Sequence, residues 1–279
     1  MLHLKLMQFR RRCTTHVLAM ACVLLTSPAM AGVMLHCTFD SMESIQKPET
    51  VPHAITGKAL EAITSGKGTI TFEPSPHGKA VRLHGSQQNN ELIRMNPGCI
   101  DLSRSGRMDF TVRFNRDPHD IRQEFYLIAE TRWPINFQLE VLPYPKGQSN
   151  LAAWVGAEER GTDKLLFASC GDKYQPAGPW SRIKAGEWHR ITLAWWKKEG
   201  KDDSIQLFID GRSTESSMKD VTGKLPDKGA WAALNFGGNA FGHLAFDISL
   251  DDLWIFDNPD DSPEAYDKSL RPGQQPTAH

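Results

Sequence analysis

The stretch Asp247-Ile-Ser-Leu-Asp-Asp-Leu-Trp-Ile-Phe-Asp257 sets acids among some of the largest apolar residues of the chain. Side chains on a strand alternate between its two faces. In an unbroken strand Ile248, Leu250, Asp252, Trp254 and Phe256 share one face, and Asp247, Ser249, Asp251, Leu253, Ile255 and Asp257 share the other. Neither face is cleanly apolar. An isolated buried charge is very costly, so a carboxylate on an apolar face must be paired, hydrogen-bonded or metal-bound. The stretch therefore predicts a strand whose acids meet partners elsewhere in the fold.

Outward from this stretch, almost every periodic segment has period two, is short and is bounded by Gly, Pro, Asp or Asn. The predicted strands are Met34 to Phe39, Thr69 to Phe72, Ala80 to Leu83, Met108 to Phe114, Glu124 to Glu130, Asn136 to Val141, Asn150 to Val155, Lys164 to Ser169, Trp188 to Trp196, Ser204 to Ile209, Ala230 to Phe236 and His243 to Phe256. Helical patterns are nearly absent. Glu187 to Arg212 reads as a hairpin with Ile191, Leu193 and Trp195 on one face of its first strand, followed by a tight turn at Asp210-Gly211. Met42 to Ser65, with Pro48 and Pro52, reads as a loop crossing. The class implied is an all-β sandwich or barrel.

The N-terminus has Arg10, Arg11 and Arg12, an apolar run from Val17 to Leu25, and Ala29-Met-Ala31, the order of a secretory signal with its cleavage site. The run is shorter than the roughly 20 residues that span a bilayer. The expectation is an exported protein with no transmembrane segment in the mature chain: a signal over 1–31, one domain over 32–257, and a C-terminal extension over 258–279. Removing residues 1–31 leaves 248 of the 279 residues and takes away Lys5 and three arginines, so the formal charge moves from −1 to −5. Nothing in that balance points to nucleic acid or to an anionic membrane surface. Cys37, Cys99 and Cys170 remain, which allows one disulfide and one spare thiol without saying which two pair.

Four segments, in order, resemble the concanavalin A-like superfamily and specifically its laminin-G-like jelly-roll domains. They are Leu35 to Asp40 ("LHCTFD"), His77 to Ser86 ("HGKAVRLHGS"), the pair "GEWHRITLAWW" and "IQLFIDGR" within Gly186 to Arg212, and the closing stretch itself; "DFTVRF" at Asp109 to Phe114 adds a fifth, weaker match. The resemblance implies two antiparallel curved sheets packed face to face, a jelly-roll sandwich, with ligand sites on the concave sheet or its rim loops. It also implies one structural Ca²⁺ held by the first acid of the closing motif, Asp251, together with Asp40 and its neighbours. Asp252 joins them as a candidate because strand register makes it the misplaced acid. Such an oxygen-only set suits a hard cation; backbone amides of an adjoining loop are the competing partners.

Catalytic motifs are missing. A retaining glycosidase needs carboxyl groups about 5 to 5.5 Å apart, whereas Asp247 and Asp251 are four residues apart, or about 13 Å at the rise of a strand. There is no Gly-x-Ser-x-Gly elbow, no His-Glu-x-x-His and no Cys-x-x-Cys. The loops carry Trp133, Tyr144, Tyr174, Trp180 and Trp231, and aromatic faces with polar neighbours are equipment for stacking on sugar rings. Each is also an ordinary loop anchor. The expectation is a non-catalytic module binding a polysaccharide or glycosylated surface. A hydrolase or lyase with an unrecognised site, and a structural envelope module contacting protein, are the alternatives.

Overall fold

In the computed structural model Ile248–Phe256 is one strand, β17, but it exchanges faces partway along. Its pairing with β6 (Gly106–Phe114) runs Leu250↔Val112 and Asp251↔Thr111, then shifts so that Trp254 meets Asp109. Asp252, at φ 52°, sits in this β-bulge. Ile248 and Leu250 join the core before the bulge and Leu253 and Ile255 after it, while Trp254 and Phe256 pack on the other side with Val33. The unbroken alternation expected from the sequence therefore fails at Asp252, because one extra residue moves every later side chain to the opposite face.

The structure describes residues 32–47, 62–65, 70–85, 92–130, 135–144, 148–157, 165–172, 175–176, 178–214, 223–227, 231–238 and 246–264, with side chains left aside at 62–65, 96–99, 135, 144, 157, 171–172, 175–176 and 231–233. These residues form two antiparallel sheets. The first runs β15 (Arg212–Ser213), β14 (Ser204–Ile209), β13 (Trp188–Trp196), β6, β17, β4 (Gly78–Leu83), β3 (Thr71–Ser75). Where β4 stops pairing, β1 (Val33–Cys37) takes its place beside β17, matching His36 to Trp254 and Cys37 to Leu253. The second runs β10 (Leu166–Ser169), β9 (Gln148–Ala157), β8 (Ile135–Tyr144), β7 (Phe125–Glu130), β16 (Trp231–Phe236), β5 (Leu92–Asp101), β2 (Ala62–Ser65). A small ribbon pairs β11 (Gly171–Asp172) with β12 (Gln175–Pro176), and one short helix, α1 (Met42–Gln46), starts in a capping box at Ser41. The two-sheet antiparallel sandwich expected from the sequence is what this chain forms.

Between the sheets lies a continuous core into which β6 sends Met108, Phe110, Val112 and Phe114, β13 sends Ile191, Leu193 and Trp195, and β8 sends Phe137, Leu139 and Val141. Edge-to-face rings cross the gap: Phe110 on Phe236 at 6.3 Å and Phe137 on Trp195 at 5.7 Å. Each such fully buried ring stabilises by roughly 1.5 to 3 kcal/mol relative to exposure. The predicted hairpin forms with Ile191 opposite Ile209 and Leu193 opposite Leu207, and both turn residues, Asp210 and Gly211, have positive φ. Two expectations differ. Met42 to Ser65 contains α1 and β2, and β5 was not foreseen, because Asn96-Pro97-Gly98 reads as a turn; the irregularity between Ala232 and Leu234 in its pairing with β16 accommodates these residues inside the strand.

The first residues of the expected C-terminal extension are held to the sandwich. Pro259 and Pro263 are buried, the Asp257 amide donates to the Gly32 carbonyl, and Glu264 pairs with Arg190. Residues 1–31 and 265–279 lie outside the described set.

Candidate functional site

The outward face of the first sheet gathers most of the chain's misplaced acids and matches them to cations. Asp109, 1 % exposed, accepts from Arg107 Nε at 2.6 Å, Arg107 Nη2 at 2.9 Å, Arg190 Nε at 3.2 Å and Thr192 Oγ1 at 2.5 Å. Asp247 accepts from Arg82 and from Asn115; burial alone would raise its pKa, but these bonds hold it below the usual carboxylate range. Glu73 joins Arg113 at 2.5 Å and Ser249. The acids of the opening stretch are thus mostly ties in a polar layer.

The three candidate metal ligands separate on the same ground. Asp40 Oδ1 accepts from the Lys79 amide at 2.7 Å, tying the chain's first strand to the β3–β4 turn. Gly78, at φ +133°, lets that turn form; a Cβ there would come within 2.8 Å of Asp40 Oδ1. Asp252 accepts from His36 Nε2 at 2.8 Å, and His36 stacks on Trp254 at 3.6 Å. Burial works to raise the Asp252 pKa, and the bonds from His36 and Trp254 together with the His36 and His77 charges outweigh it and keep it low. Asp251 is different: 1 % exposed, with neither oxygen in a hydrogen bond among the described residues, its pKa pushed up to about 6 by burial. The Ser75 hydroxyl and the His77 backbone lie near enough to offset that rise in part, and Ser75 Oγ itself has no partner among the described residues. Among the described residues no group of three or more His, Cys, Asp or Glu side chains could hold a metal.

Of the aromatic candidates, Trp133 and Tyr174 lie outside the described residues, and Tyr144 and Trp231 have a described backbone only. Trp180 is corrected: it is 0 % exposed, its Nε1 donates to the Ser149 carbonyl at 2.9 Å, and its ring packs edge-on against Phe114 at 5.6 Å. Burying its large ring against the core leaves no face for a sugar.

What the sequence reading missed is the outward face of the second sheet. Pairing registers place Arg94, Asn235, Ala129, Gln138, Trp154 and Phe167 side by side across six strands. All but Ala129, which lies between Ile128 and Glu130, are flanked along their strands by core residues such as Ile93 and Met95, Phe137 and Leu139, or Leu166 and Ala168, so the row points away from the core. At about 4.8 Å per strand it extends about 24 Å. Trp154 and Phe167 pack on each other at 4.3 Å. Trp154 Nε1 donates to Glu140 Oε1 at 2.5 Å, and Glu140, 6 % exposed, has its pKa pushed up to about 7 by burial, with Glu124 adding to the rise and the Trp154 bond opposing it. Across the strand pair Glu140 faces Tyr126, whose hydroxyl is pushed up to about 12 by burial and by Glu140 and Glu124.

Several buried polar atoms on this face lack a hydrogen-bond partner among the described residues: Arg94 Nε, Asn136 Oδ1, Asn150 Oδ1 and Asn235 Oδ1. In Asn235 the amide nitrogen donates to the Ala129 carbonyl at 2.7 Å, which fixes its oxygen as the open group. Buried polar atoms are nearly always satisfied in a native fold, and these four are the open positions of this face among the described residues. The legible signal was the alternation Asn136-x-Gln138-x-Glu140, polar at every second position of a strand.

These features define a two-sheet β-sandwich with a polar and aromatic outward face, and solved structures share the architecture. No family model matches the sequence, and comparison with curated proteins gives no match. The fold is similar to domain 4 of AbnA, an extracellular arabinanase from Geobacillus stearothermophilus solved with arabinotriose, at TM-score 0.52 and 17% identity over 85% of this chain and 98% of that one. It is also similar to the binding domain of Paraclostridial Mosquitocidal Protein 1, at TM-score 0.54 and 15% identity over 84% of this chain and 51% of that one. A third similarity is to a structure from work on how cell entry of botulinum neurotoxin type C depends on interaction with two ganglioside molecules, at TM-score 0.53 and 11% identity over 86% of this chain and 51% of that one. The chain thus spans almost the whole arabinanase domain and about half of the toxin domains. At these identities the likeness establishes the fold.

Proposed function

We propose that the chain is an exported glycan-binding module of the concanavalin A-like, laminin-G-like kind, taking its ligand on the outward face of the second sheet. The observation that carries this reading is the row from Arg94 to Phe167, which joins an aromatic pair to polar atoms that have no partner among the described residues. Structures of similar fold include one solved with arabinotriose and one from work on ganglioside interaction, which supports a sugar ligand. No helix among the described residues is long and apolar enough to cross a membrane. Cys37 and Cys170 are buried free thiols, so the disulfide the sequence allowed does not join these two. The test is a glycan array probed with the intact protein: retention on polysaccharide without release of reducing ends is expected, and retention on envelope protein alone would replace this reading with the structural one.

A hydrolase reading is favoured by one observation, the proximity of Glu124 to a Glu140 whose pKa stands at about 7, in the range a general acid needs. New reducing ends or unsaturated product, abolished in Glu140→Gln, would establish it over binding alone. Of the three candidate Ca²⁺ ligands, Asp252 is turned to His36 and Asp40 Oδ1 to the Lys79 amide, which leaves Asp251 as the carboxylate to test. Asp251 suits a cation because its buried carboxyl has no hydrogen bond among the described residues. A thermal melt that does not move when Ca²⁺ is removed by chelator would eliminate it.

A further inference from the structure

We infer that cleavage after Ala31 creates a charged α-amino group on Gly32 that pairs with the carboxylates of Asp257 and Asp261, tying the start of the processed chain to the segment that follows β17. The inference rests on the exported reading, through the Ala29-Met-Ala31 motif, and goes further by giving the new terminus its own binding site. Gly32 stands one residue before β1, and its carbonyl accepts from the Asp257 amide at 3.0 Å. The Asp257 carboxylate lies against its Cα, where a Cβ on residue 32 would overlap it, so only glycine permits the contact. The A-x-A motif ends at Ala31 and does not specify residue 32. The glycine therefore answers to the fold.

Asp261 faces the same nitrogen. Burial raises the pKa of its carboxyl and the Gly32 backbone N–H acts against it, with Asp257 and Asp260 adding to the rise and Arg107 opposing them. Asp261 Oδ2 is buried and has no hydrogen-bond partner among the described residues. The cations close by are committed elsewhere: Arg107 is bonded to Asp109, and Arg190 is shared by Asp109 and Glu264. In the uncleaved chain Gly32 offers one neutral N–H. Hydrolysis adds water across the Ala31–Gly32 bond; the new carboxylate leaves with Ala31, and its proton ends on the Gly32 amine. The resulting ammonium carries three donors and a full charge, and it turns freely about its bond to Cα, so one N–H can keep Asp261 while another reaches Asp257. Charged hydrogen bonds are roughly twice as strong as neutral ones, and the acids at 257, 260 and 261 favour the protonated amine.

The test expresses the full chain beside a variant with one serine inserted between Ala31 and Gly32, in which processing leaves an amide at Gly32. Mass spectrometry of the exported proteins reads the first residue, and thermal melts follow. Expected is a wild-type protein that begins at Gly32 and melts about 2 to 4 °C above the inserted variant at pH 7. The difference should vanish above about pH 10, where the α-amine is neutral, and should shrink when the insertion is made in an Asp257→Asn, Asp261→Asn background. An exported protein that begins at another residue would overturn the inference. Equal melting at pH 7, or a difference that persists at pH 10, would overturn the ion pair. A difference unchanged in the asparagine background would overturn its placement. Protein kept inside the cell with residues 1–31 attached would overturn the exported reading itself.

Discussion

The two sheets present opposite kinds of polar surface. On the first, carboxylates meet guanidinium groups at every turn: Asp109 with Arg107 and Arg190, Asp247 with Arg82, and Glu73 with Arg113, which also lies over the Trp188 ring at 5.1 Å. On the second, Glu140 is held by an indole rather than a cation, and amide oxygens have no partner among the described residues. Satisfied polar layers rigidify a fold. Partnerless ones weaken it unless something else completes them, which on the second face is the role of the proposed ligand. Asp251 is the carboxylate exception on the first sheet, where Ser75 Oγ, His189 Nε2 and Arg190 Nη2 also lack a hydrogen-bond partner among the described residues.

The sharpest way to break the contrast is Asp109→Ala. It strands Arg107 and Arg190 beside a buried site, and removing one partner of a buried charge pair costs about 3 to 5 kcal/mol. Urea denaturation should show that loss with no change in sugar binding. Next comes pH. The folded state holds the Glu140 proton more tightly than the unfolded chain, whose value is near 4.5. Its stabilising contribution is therefore complete below about pH 4.5 and is lost as pH rises through about 7, by at most about 3 kcal/mol. The melting temperature should fall between pH 5 and pH 8, and Glu140→Gln should flatten that fall.

Asp252→Val tests the bulge. It forces a β-branched residue to φ 52° and removes the carboxylate that accepts from His36, at a cost of about 2 kcal/mol. Asp251→Asn gives a smaller effect whose sign is informative. With no cation present it should raise stability at pH 8, by removing a charge that burial disfavours; a loss of stability reversed by nothing but the wild-type residue, together with loss of bound Ca²⁺, would assign the metal. Gln138→Ala should change stability by less than about 0.5 kcal/mol while reducing sugar binding, the mirror image of Asp109→Ala.

Reading of the fold was good where the pattern was local. Ile191, Leu193 and Trp195 were placed on the face they occupy, because period two and the Asp210-Gly211 turn are properties of adjacent residues. Of the aromatic site residues read from the sequence, Trp180 is the one whose side chain is described, and it is core. Trp180 looked like a loop aromatic from its prolines, and only the packing of Phe114 and the position of Ser149 make it core. Trp154 and Phe167, far apart in sequence from Arg94 and Asn235, become neighbours only when strands β5, β16, β7, β8, β9 and β10 align.

By itself the sequence determined that this chain is all-β, a sandwich or a barrel, since alternation, turn chemistry and strand length are local and favour that class. Tertiary structure alone decided what each acid does. Asp247 to Asp257 is one strand in sequence, but the bulge at Asp252 splits it into two registers, and the outcome depends on partners more than 100 residues away, such as His36 for Asp252 and Arg82 for Asp247. A charge is stabilised by whatever the fold brings within hydrogen-bonding distance. Which residues those are depends on register and topology, and no stretch of sequence contains that information alone.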